Sequence, residues 1–390
     1  MVIEPKIRGF ICTTAHPNGC FKNVENQVNF IKNQEEFSTK KNVLVVGCST
    51  GYGLASRICC AFSKTKAATL GVMFEKPATE KRTASAGFYN TAAFEQIAKS
   101  NNIWAKTINA DAFLSQTIET AINTIKSTIG KVDLVIYSLA APRRTMPDST
   151  IVSSTLKTVN QPYTSKTLNL KTKKIEQVTV EPATKTEIEN TIKVMGGENW
   201  LDWIKALKKA NAISNNALTI AYSYVGPKLT FPIYKDGTIG LAKNDLFETA
   251  KTIEQNLNIK ALISVNKALV TQASSAIPIV PLYLTILYKI MKAKGCHEGC
   301  IEQMHRLFAK KINFATNAIE LDSKGRIRLD DLELNPEVQR EIEIAWQKIN
   351  NENLNQFADL AGYSSDFEKM FGFGLESIDY SADVNQFVEI

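Results

Sequence analysis

A run of apolar residues followed by a glycine-rich turn constrains this chain more than any other segment. Residues 42–47 read NVLVVG, a pattern typical of a strand buried on both faces of a parallel sheet. The next residues, CSTGYG, complete a turn with glycines at 47, 51 and 53 and open a helical segment. This order predicts a βα unit whose turn binds the pyrophosphate of a dinucleotide, with a ligand-free structural turn as the alternative.

Each glycine of this turn has its own physical role. Gly47 permits the sharp turn out of the strand. Gly51 lets backbone N–H groups approach a pyrophosphate, and Gly53 lets the helix pack closely on the sheet. The positive end of the helix dipole then lies at the phosphates.

Strands and helices alternate along the remaining first two thirds of the chain. Further strands are predicted at 67–75, 104–111, 132–140, 217–224 and 259–266, with helices at 52–63, 90–100, 114–130, 238–257 and near Pro281. This alternation predicts an α/β, Rossmann-like doubly wound parallel sheet. A β-hairpin around Thr172–Lys174 and a helical pair split at Gly196-Gly197 are additions.

Both ends of the chain extend this core. The first forty residues predict a strand at GFICTTA, a turn at HPNG and a helix at 21–34, and the last ninety predict charged helices with turns at DSKG and AGYSS. We expect one enlarged domain over 1–390, with an N-terminal extension (1–42), a cofactor- and substrate-binding core (43–290) and a helical C-terminal part (291–390). A monomer is favoured, although these segments also suit an interface.

Composition narrows the compartment and the partners. The 390 residues carry a formal charge of +7, and no dense stripe of aromatic and basic residues favours nucleic acid. Seven cysteines in so long a chain are typical of reduced thiols in the cytoplasm. The first ten residues lack the apolar core of an export signal, and prolines interrupt the most apolar stretch, so no membrane partner is expected.

Polar and small residues follow several predicted strands at the edge where open parallel sheets bind ligands. Glu75 ends the second strand, where a carboxylate binds the adenosine ribose and repels a 2′-phosphate, which favours NADH over NADPH. Lys76 beside it weakens this inference. Asp111 closes the third strand and SLAAP ends the fourth. For each of these a plain packing or solvated role is the alternative.

The stretch YSYVGPKLTFPIYKDGTIGLAK (222–243) offers two pairings of a tyrosine acid with a lysine. Tyr224 and Lys228 have one-turn spacing, but Gly226-Pro227 between them breaks a helix. Tyr234 and Lys243 are nine residues apart, half a turn out of phase on a continuous helix. A helix that begins near Thr238 would place the tyrosine in the preceding loop and let the lysine point back. A packed tyrosine and a solvated lysine remain the alternative.

These motifs together resemble the FabV-type enoyl-acyl-carrier-protein reductases and the related trans-2-enoyl-CoA reductases, enlarged members of the short-chain dehydrogenase/reductase superfamily. The resemblance rests on the glycine turn, MFEKP, SLAAPRRT, LVTQASSAIPIVPLYL and the long spacing between Tyr234 and Lys243, and it covers nearly the whole chain. It implies NADH-dependent reduction of trans-2-enoyl thioesters on acyl carrier protein, the last step of the fatty acid elongation cycle. A fermentative crotonyl-CoA reductase and a non-catalytic dinucleotide-binding regulator are the alternatives.

The resemblance also implies roles for individual residues. Tyr234 matches the proton donor, Tyr224 a substrate contact and Lys243 a cofactor-binding lysine. The glycine turn itself contributes Gly47 to the predicted NADH site. The other NADH contacts that the resemblance implies are Cys48, Ser49, Thr50, Gly51, Tyr52, Gly53, Phe74, Glu75, Asp111, Ala112, Leu139, Ala140, Leu269, Val270 and Thr271. No metal site is expected, because the segment CHEGC (296–300) shows no fourth ligand. Arg143 and Arg144 suit either the phosphates of a carrier or a solvated loop.

Overall fold

Helices and strands alternate along most of the chain in the computed structural model, which describes residues 1–8, 11–316 and 318–390. The strands are β1 (Ile7–Arg8), β2 (Ile11–Cys12), β3 (Asn42–Val46), β4 (Ala68–Met73), β5 (Ala105–Asn109), β6 (Val132–Tyr137), β7 (Arg143–Thr145), β8 (Ile151–Ser153), β9 (Tyr163–Asn169), β10 (Lys174–Val180), β11 (Ile213–Ser223), β12 (Lys260–Val265), β13 (Ile312–Asn313), β14 (Ala318–Ile319) and β15 (Ile327–Arg328). The helices are α1 (Pro17–Lys32), α2 (Gly51–Phe62), α3 (Ala86–Ser100), α4 (Ser115–Thr128), α5 (Lys185–Met195), α6 (Glu198–Lys209), α7 (Thr238–Leu257), α8 (Gln272–Ser275), α9 (Val280–Ala293), α10 (Cys300–Arg306), α11 (Pro336–Lys348), α12 (Leu354–Phe357) and α13 (Leu360–Lys369). Lys228–Thr230 form a 3₁₀ turn, and Leu307–Lys311 form a π-helical turn.

Seven parallel strands form the main sheet, in the order β15-β12-β11-β6-β3-β4-β5. Every neighbouring pair in this sheet is parallel. The strand order reverses between β3 and β6. Open parallel sheets bind ligands at such a point, in the crevice beyond the carboxyl ends of the strands. The predicted Rossmann-like, doubly wound sheet is therefore confirmed.

The central strands are largely apolar because helices cover both faces of the sheet. In β3, Val43 and Val45 pack into the cluster that contains α1, α2 and α9, and Leu44 and Val46 pack into the opposite cluster with α4, α6 and α7. Successive side chains of a strand point to opposite faces of the sheet. When both faces are covered, every position of the strand is buried and favours an apolar residue. The NVLVV run reflects this double burial.

Tryptophans of α6 anchor the second face. Trp200 and Trp203 are fully buried, and their indole N–H groups donate to Thr219 Oγ1 at 2.8 Å and to Ala112 O at 3.0 Å. Both tryptophans therefore lie on the core face of the helix. The bond to Ala112 also fixes the loop that follows β5, which lies at the ligand-binding edge.

The predicted hairpin is formed by β9 and β10, which pair antiparallel from Tyr163↔Val180 to Asn169↔Lys174. It packs against the C-terminal part of the chain: Lys166 Nζ donates to Trp346 O at 2.9 Å and to Ile349 O at 3.0 Å. One side of the hairpin is therefore held by the rest of the protein.

Several boundaries differ from the sequence-based expectations. The expected turn at HPNG begins α1 instead, because His16 Nδ1 caps the helix by accepting the Gly19 N–H and Pro17 suits a first helical position. The expected turn at AGYSS lies within α13, which Asp359 caps. The third helix begins at Ala86 rather than Asn90, and the expected helical C-terminal part contributes strand β15 to the main sheet. Part of the expected strand GFICTTA, residues 9 and 10, lies outside the described residues.

No helix in the described part of the chain combines the length and hydropathy that a membrane crossing requires.

Candidate active site

The glycine turn lies at the point where the strand order of the sheet reverses. Val46 at the end of β3 stands opposite Tyr137 at the end of β6, so Gly47 and Ser138 meet directly beyond the sheet. Gly47 has a φ of +84°, and a Cβ there would lie 2.5 Å from Ser138 O. Only glycine combines this conformation with so close a backbone approach. The turn is thus fixed against the start of SLAAP, which contains Leu139 and Ala140.

Two further glycines shape the first turn of α2. Gly51 begins the helix with a φ of +56°, and a Cβ there would meet open space. A Cβ on Gly53 would overlap Gly47 O, so the helix packs against the turn at backbone distance. The first N–H groups of any helix have no partner within it. The backbone N–H groups of Gly51, Tyr52 and Gly53, in the first turn of α2, are therefore available to an anion.

Cys48 occupies the inner side of the same turn. Its N–H donates to Val72 O at 3.1 Å and its thiol is fully buried beside the Arg57 guanidinium. Burial raises the pKa of this thiol to about 11, which makes it a poor nucleophile at neutral pH. The Cys48 side chain therefore packs beneath the glycine turn, inside the protein, and does not reach the edge of the sheet where ligands bind.

The end of β4 presents an exposed ring and a held carboxylate. Phe74 is 76% exposed, an unusual degree for so large an apolar side chain, which leaves its ring open to a planar ligand. Glu75 Oε1 accepts the Ser49 hydroxyl at 2.7 Å, which ties the carboxylate to the glycine turn. Asn109 exchanges two hydrogen bonds with the Glu75 backbone, at 2.8 and 2.9 Å. The sequence did not reveal this role of Asn109.

The other predicted strand-end residues line the same edge with their backbones. Asp111 turns its carboxylate onto the Phe113 N–H at 2.9 Å, so it caps its own loop. Ala112 is buried, and Leu139 is half-buried next to Gly47. Ala140 is exposed at the mouth of the crevice.

Two tyrosine rings meet at the end of β11. Tyr224 and Tyr234 pack edge to face with ring centroids 4.6 Å apart, and only 8% of Tyr234 is exposed. Helix α7 begins at Thr238 as predicted, which leaves Tyr234 in the loop before it. Burial, and next the Glu333 carboxylate, raises the pKa of Tyr234 above its ordinary value, so this phenol stays protonated.

Lys243 points back from the second turn of α7 to the same strand end. Its Nζ donates to Tyr222 O at 3.2 Å, two residues before Tyr224. Burial lowers the pKa of Lys243 to about 8. The exposed Lys228 has no part in this arrangement. The long-spaced pair therefore converges on the end of β11, and the helix break at Gly226-Pro227 separates the short-spaced one.

The segment Leu269 to Thr271 lies beyond β12, the next strand of the sheet. Leu269 and Val270 are buried, and the Val270 N–H donates to the Tyr288 hydroxyl at 3.0 Å. Thr271 N–H donates to Ser274 Oγ at 2.8 Å and so begins a tight turn into α8. These contacts hold the segment next to the end of β11, where Tyr224 and Tyr234 meet.

A buried ion cluster that the sequence did not indicate supports this end of the sheet. Glu333 is fully buried and accepts hydrogen bonds from Tyr224 Oη at 2.9 Å and Tyr283 Oη at 2.6 Å. Burial raises the pKa of Glu333, whereas the nearby Lys267 ammonium opposes that rise. Lys267 is itself 2% exposed, and burial lowers its pKa to about 8. Glu333 lies in an acidic stretch, DDLELNPE, with no motif to mark it.

Other residues weighed from the sequence lie apart from the crevice or are already paired. Arg144 is buried, with its guanidinium 2.6 Å from Glu198 Oε2 and donating to Lys193 O, so it is not free for a phosphate. His297 of CHEGC packs on the Tyr288 ring, with centroids 4.3 Å apart. Across residues 1–8, 11–316 and 318–390 no group of three or more potential ligands could hold a metal ion.

Models of known protein families match most of this chain. A family model described as the catalytic region of trans-2-enoyl-CoA reductase matches residues 82–313, and one described as the NAD(P)H binding domain of the same enzyme matches residues 2–80. The chain belongs to the trans-2-enoyl-CoA reductase family. The resemblance seen in the sequence motifs is therefore confirmed.

Curated relatives match this trans-2-enoyl-CoA reductase family member from end to end. A trans-2-enoyl-CoA reductase [NADH] of Ruminiclostridium cellulolyticum is 51% identical over 100% of this chain and 99% of its own length. An enoyl-[acyl-carrier-protein] reductase [NADH] of Flavobacterium psychrophilum is 50% identical with the same coverage. The crystal structure of the Clostridium acetobutulicum trans-2-enoyl-CoA reductase in complex with NADH is 43% identical, with a TM-score of 0.96 over 99% of this chain and 98% of that one.

A third family model, described as an enoyl reductase FAD binding domain, matches residues 321–384. The residues present do not fit a flavin. In this segment Arg326 and Arg328 bind Asp322, and Arg328 also binds Asp330, so these charges are already paired within the protein. Glu333, the buried acid of the segment, is taken by the two tyrosines.

Proposed function

We propose that this protein uses NADH to reduce the carbon–carbon double bond of trans-2-enoyl thioesters. The observation that carries the proposal is the convergence of Tyr234 and Lys243 on the end of β11, in a chain whose family membership extends over its whole length. The same sheet edge carries the glycine turn at 47–53 and the Glu75 carboxylate. An acid, a cation and a dinucleotide turn at one edge are what such a reduction requires.

We assign the cofactor contacts to the residues around the crevice. The amides at the start of α2 suit the pyrophosphate, Phe74 and Glu75 the adenosine, and Lys243 the nicotinamide ribose. The remaining assigned contacts are Gly47, Cys48, Ser49, Thr50, Asp111, Ala112, Leu139, Ala140, Leu269, Val270 and Thr271. When bound, NADH supplies a hydride to the β-carbon of the substrate.

The chain's own groups handle the charge that develops on the substrate. Negative charge on the thioester oxygen is stabilised when a phenol donates to it in a site that excludes water. Tyr234 is such a donor, because it is protonated and nearly buried. The Lys243 ammonium stabilises the charged form of the phenol after donation, and Tyr224 contacts the substrate beside it. The α-carbon then takes a proton from Tyr234 or from water.

The thioester carrier defines two candidate substrates. We propose enoyl-acyl carrier protein, in the last step of fatty acid elongation, because full-length relatives named for that reaction match throughout. Enoyl-CoA is the second candidate, since relatives with that name match equally well. We further propose one enlarged domain that acts as a monomer in the cytoplasm, where seven unpaired thiols remain reduced.

Turnover of defined thioesters tests the function. We expect the purified full-length chain to oxidise NADH when crotonyl-CoA or a carrier-bound enoyl chain is added, measured as loss of NADH absorbance. The saturated thioester should appear in equal amount by mass spectrometry. NADH binding without turnover of any enoyl thioester would instead identify a dinucleotide-binding regulator, and kcat/KM on the two carriers decides between the two substrates.

Removal of the Glu75 charge should relax the preference for NADH. We expect Glu75→Gln to improve kcat/KM with NADPH roughly 10-fold, because it removes a carboxylate that repels a 2′-phosphate. The change should cost several-fold with NADH, since a ribose acceptor is weakened. Glu80→Gln, which removes an exposed charge in the following loop, is the control and should leave both values unchanged. An unaltered NADPH/NADH ratio in Glu75→Gln would contradict this role.

A further inference from the structure

Tyr224, whose ring packs on Tyr234, is also held by a carboxylate from the C-terminal part of the chain. The Tyr224 hydroxyl donates its hydrogen to Glu333 Oε1 at 2.9 Å. Because Tyr224 has only one hydroxyl hydrogen, its oxygen is left with lone pairs on its other sides. Among the described residues the Tyr234 hydroxyl has no hydrogen-bond partner. Of the two tyrosines, Tyr234 is therefore the one whose hydroxyl hydrogen is available to a ligand.

The donors around Glu333 suit a carboxylate and not an amide. Two hydroxyls, from Tyr224 and Tyr283, donate to Oε1, and the Ala268 N–H donates to Oε2 at 2.7 Å. An amide that kept its oxygen toward the Ala268 N–H would present its NH₂ to the two hydroxyls, which would then have to accept, so both hydrogen bonds would be reversed. A carboxylate satisfies all three donors at once, and bonds to a charged acceptor are the stronger kind.

The surroundings compensate the buried charge. Lys267 is buried beside Glu333, donates to Ala268 O at 2.9 Å and lies over the Tyr288 ring at 5.3 Å. A buried carboxylate with a buried ammonium near it avoids most of the cost of an isolated charge. Gln339 donates to Glu333 O at 2.7 Å and so fixes the backbone that carries the acid.

We propose that Glu333 is a positioning residue for the enoyl reduction: its carboxylate binds the Tyr224 hydroxyl hydrogen and holds the Tyr224 ring edge to face against Tyr234. Tyr224 then meets the substrate through its ring and oxygen lone pairs, and Tyr234 alone donates. Residues 321–384 thereby contribute to the active site with an acid rather than with a flavin. The inference rests on the function proposed above.

A double-mutant cycle in the full-length protein tests this role. We expect Glu333→Gln to lower kcat roughly 10- to 100-fold, the range for loss of a hydrogen bond to a charged group. Tyr224→Phe should cause a similar loss, and the double variant should be no slower than the slower single variant, because both changes break one contact. Fluorescence titration should give a Kd for NADH within about twofold of the wild type, since neither Glu333 nor Tyr224 is among the assigned NADH contacts.

Asp330→Asn is the matched control. Asp330 is as fully buried as Glu333, three residues away, but its partner is Arg328. The Asp330→Asn variant should lose thermal stability but keep the wild-type kcat. Should Glu333→Gln fail to fold, Glu333→Asp, which retracts the charge by one methylene, enters the same cycle. If the losses of the two single variants multiply in the double variant, or if a folded Glu333 variant keeps the wild-type kcat, the role of Glu333 is wrong but the proposed reaction stands. If the wild type itself is inactive on enoyl thioesters, the proposed reaction is wrong as well.

Discussion

Tyr234→Phe should lower turnover of enoyl thioesters roughly 10²–10⁴-fold, the range for loss of a catalytic acid or oxyanion donor. The ring of the variant still packs against Tyr224, because the contact is between ring faces and edges at 4.6 Å. Only the hydroxyl that donates to the thioester oxygen is removed. The fall should therefore appear in kcat, with little change in the Kd for NADH, as measured by steady-state kinetics and fluorescence titration.

Tyr380→Phe provides the control for this variant. This control also removes one phenol hydroxyl, which in Tyr380 donates to Gly372 O at 3.1 Å, but Tyr380 packs near His16, away from the sheet edge. Its kcat should equal that of the wild type. If folded Tyr234→Phe turns over within a few-fold of the wild type, the acid must be another group and the assignment of Tyr234 is wrong.

The fold was predictable because its signals are local. Continuous apolar runs such as NVLVV specify strands buried on both faces, and Gly47 and Gly53 are required by backbone approaches only glycine permits. Helix α7 was placed correctly at Thr238 by the turn residues before it. Boundaries failed where a cap overrode composition, as at His16, whose side chain begins α1 within a segment typical of a turn.

The site was predictable only in part, because part of it is assembled across the chain. Tyr234 and Lys243 share one short stretch, and their spacing marked them. Glu333 lies 109 residues from Tyr224, in a charged segment typical of a solvated surface, yet it is fully buried. Its role depends on the β15 strand, which brings the segment beside β12. No local pattern encodes such a long-range contact.

Lys243→Met should lower kcat/KM for NADH roughly 10²-fold, because it removes a cation that binds the cofactor and eases proton donation by Tyr234. The lysine also predicts a pH dependence. Burial lowers its pKa to about 8 in the free protein, so its ammonium is present below that pH and lost above it. Since kcat/KM reports the free enzyme, it should decline above about pH 8, and the Kd for NADH should rise over the same range.

Three variants separate the charge of Lys243 from its shape. Lys243→Met should bind NADH weakly with no change in Kd around pH 8, whereas Lys243→Arg, if active, should keep its affinity to higher pH because a guanidinium stays charged. Lys251→Met, on the same helix and paired with Glu248 at the surface, should match the wild type. A wild-type alkaline decline that survives in Lys243→Met would assign the titration to another group, of which the buried Lys267 is the first to examine, since burial lowers its pKa to about 8 as well.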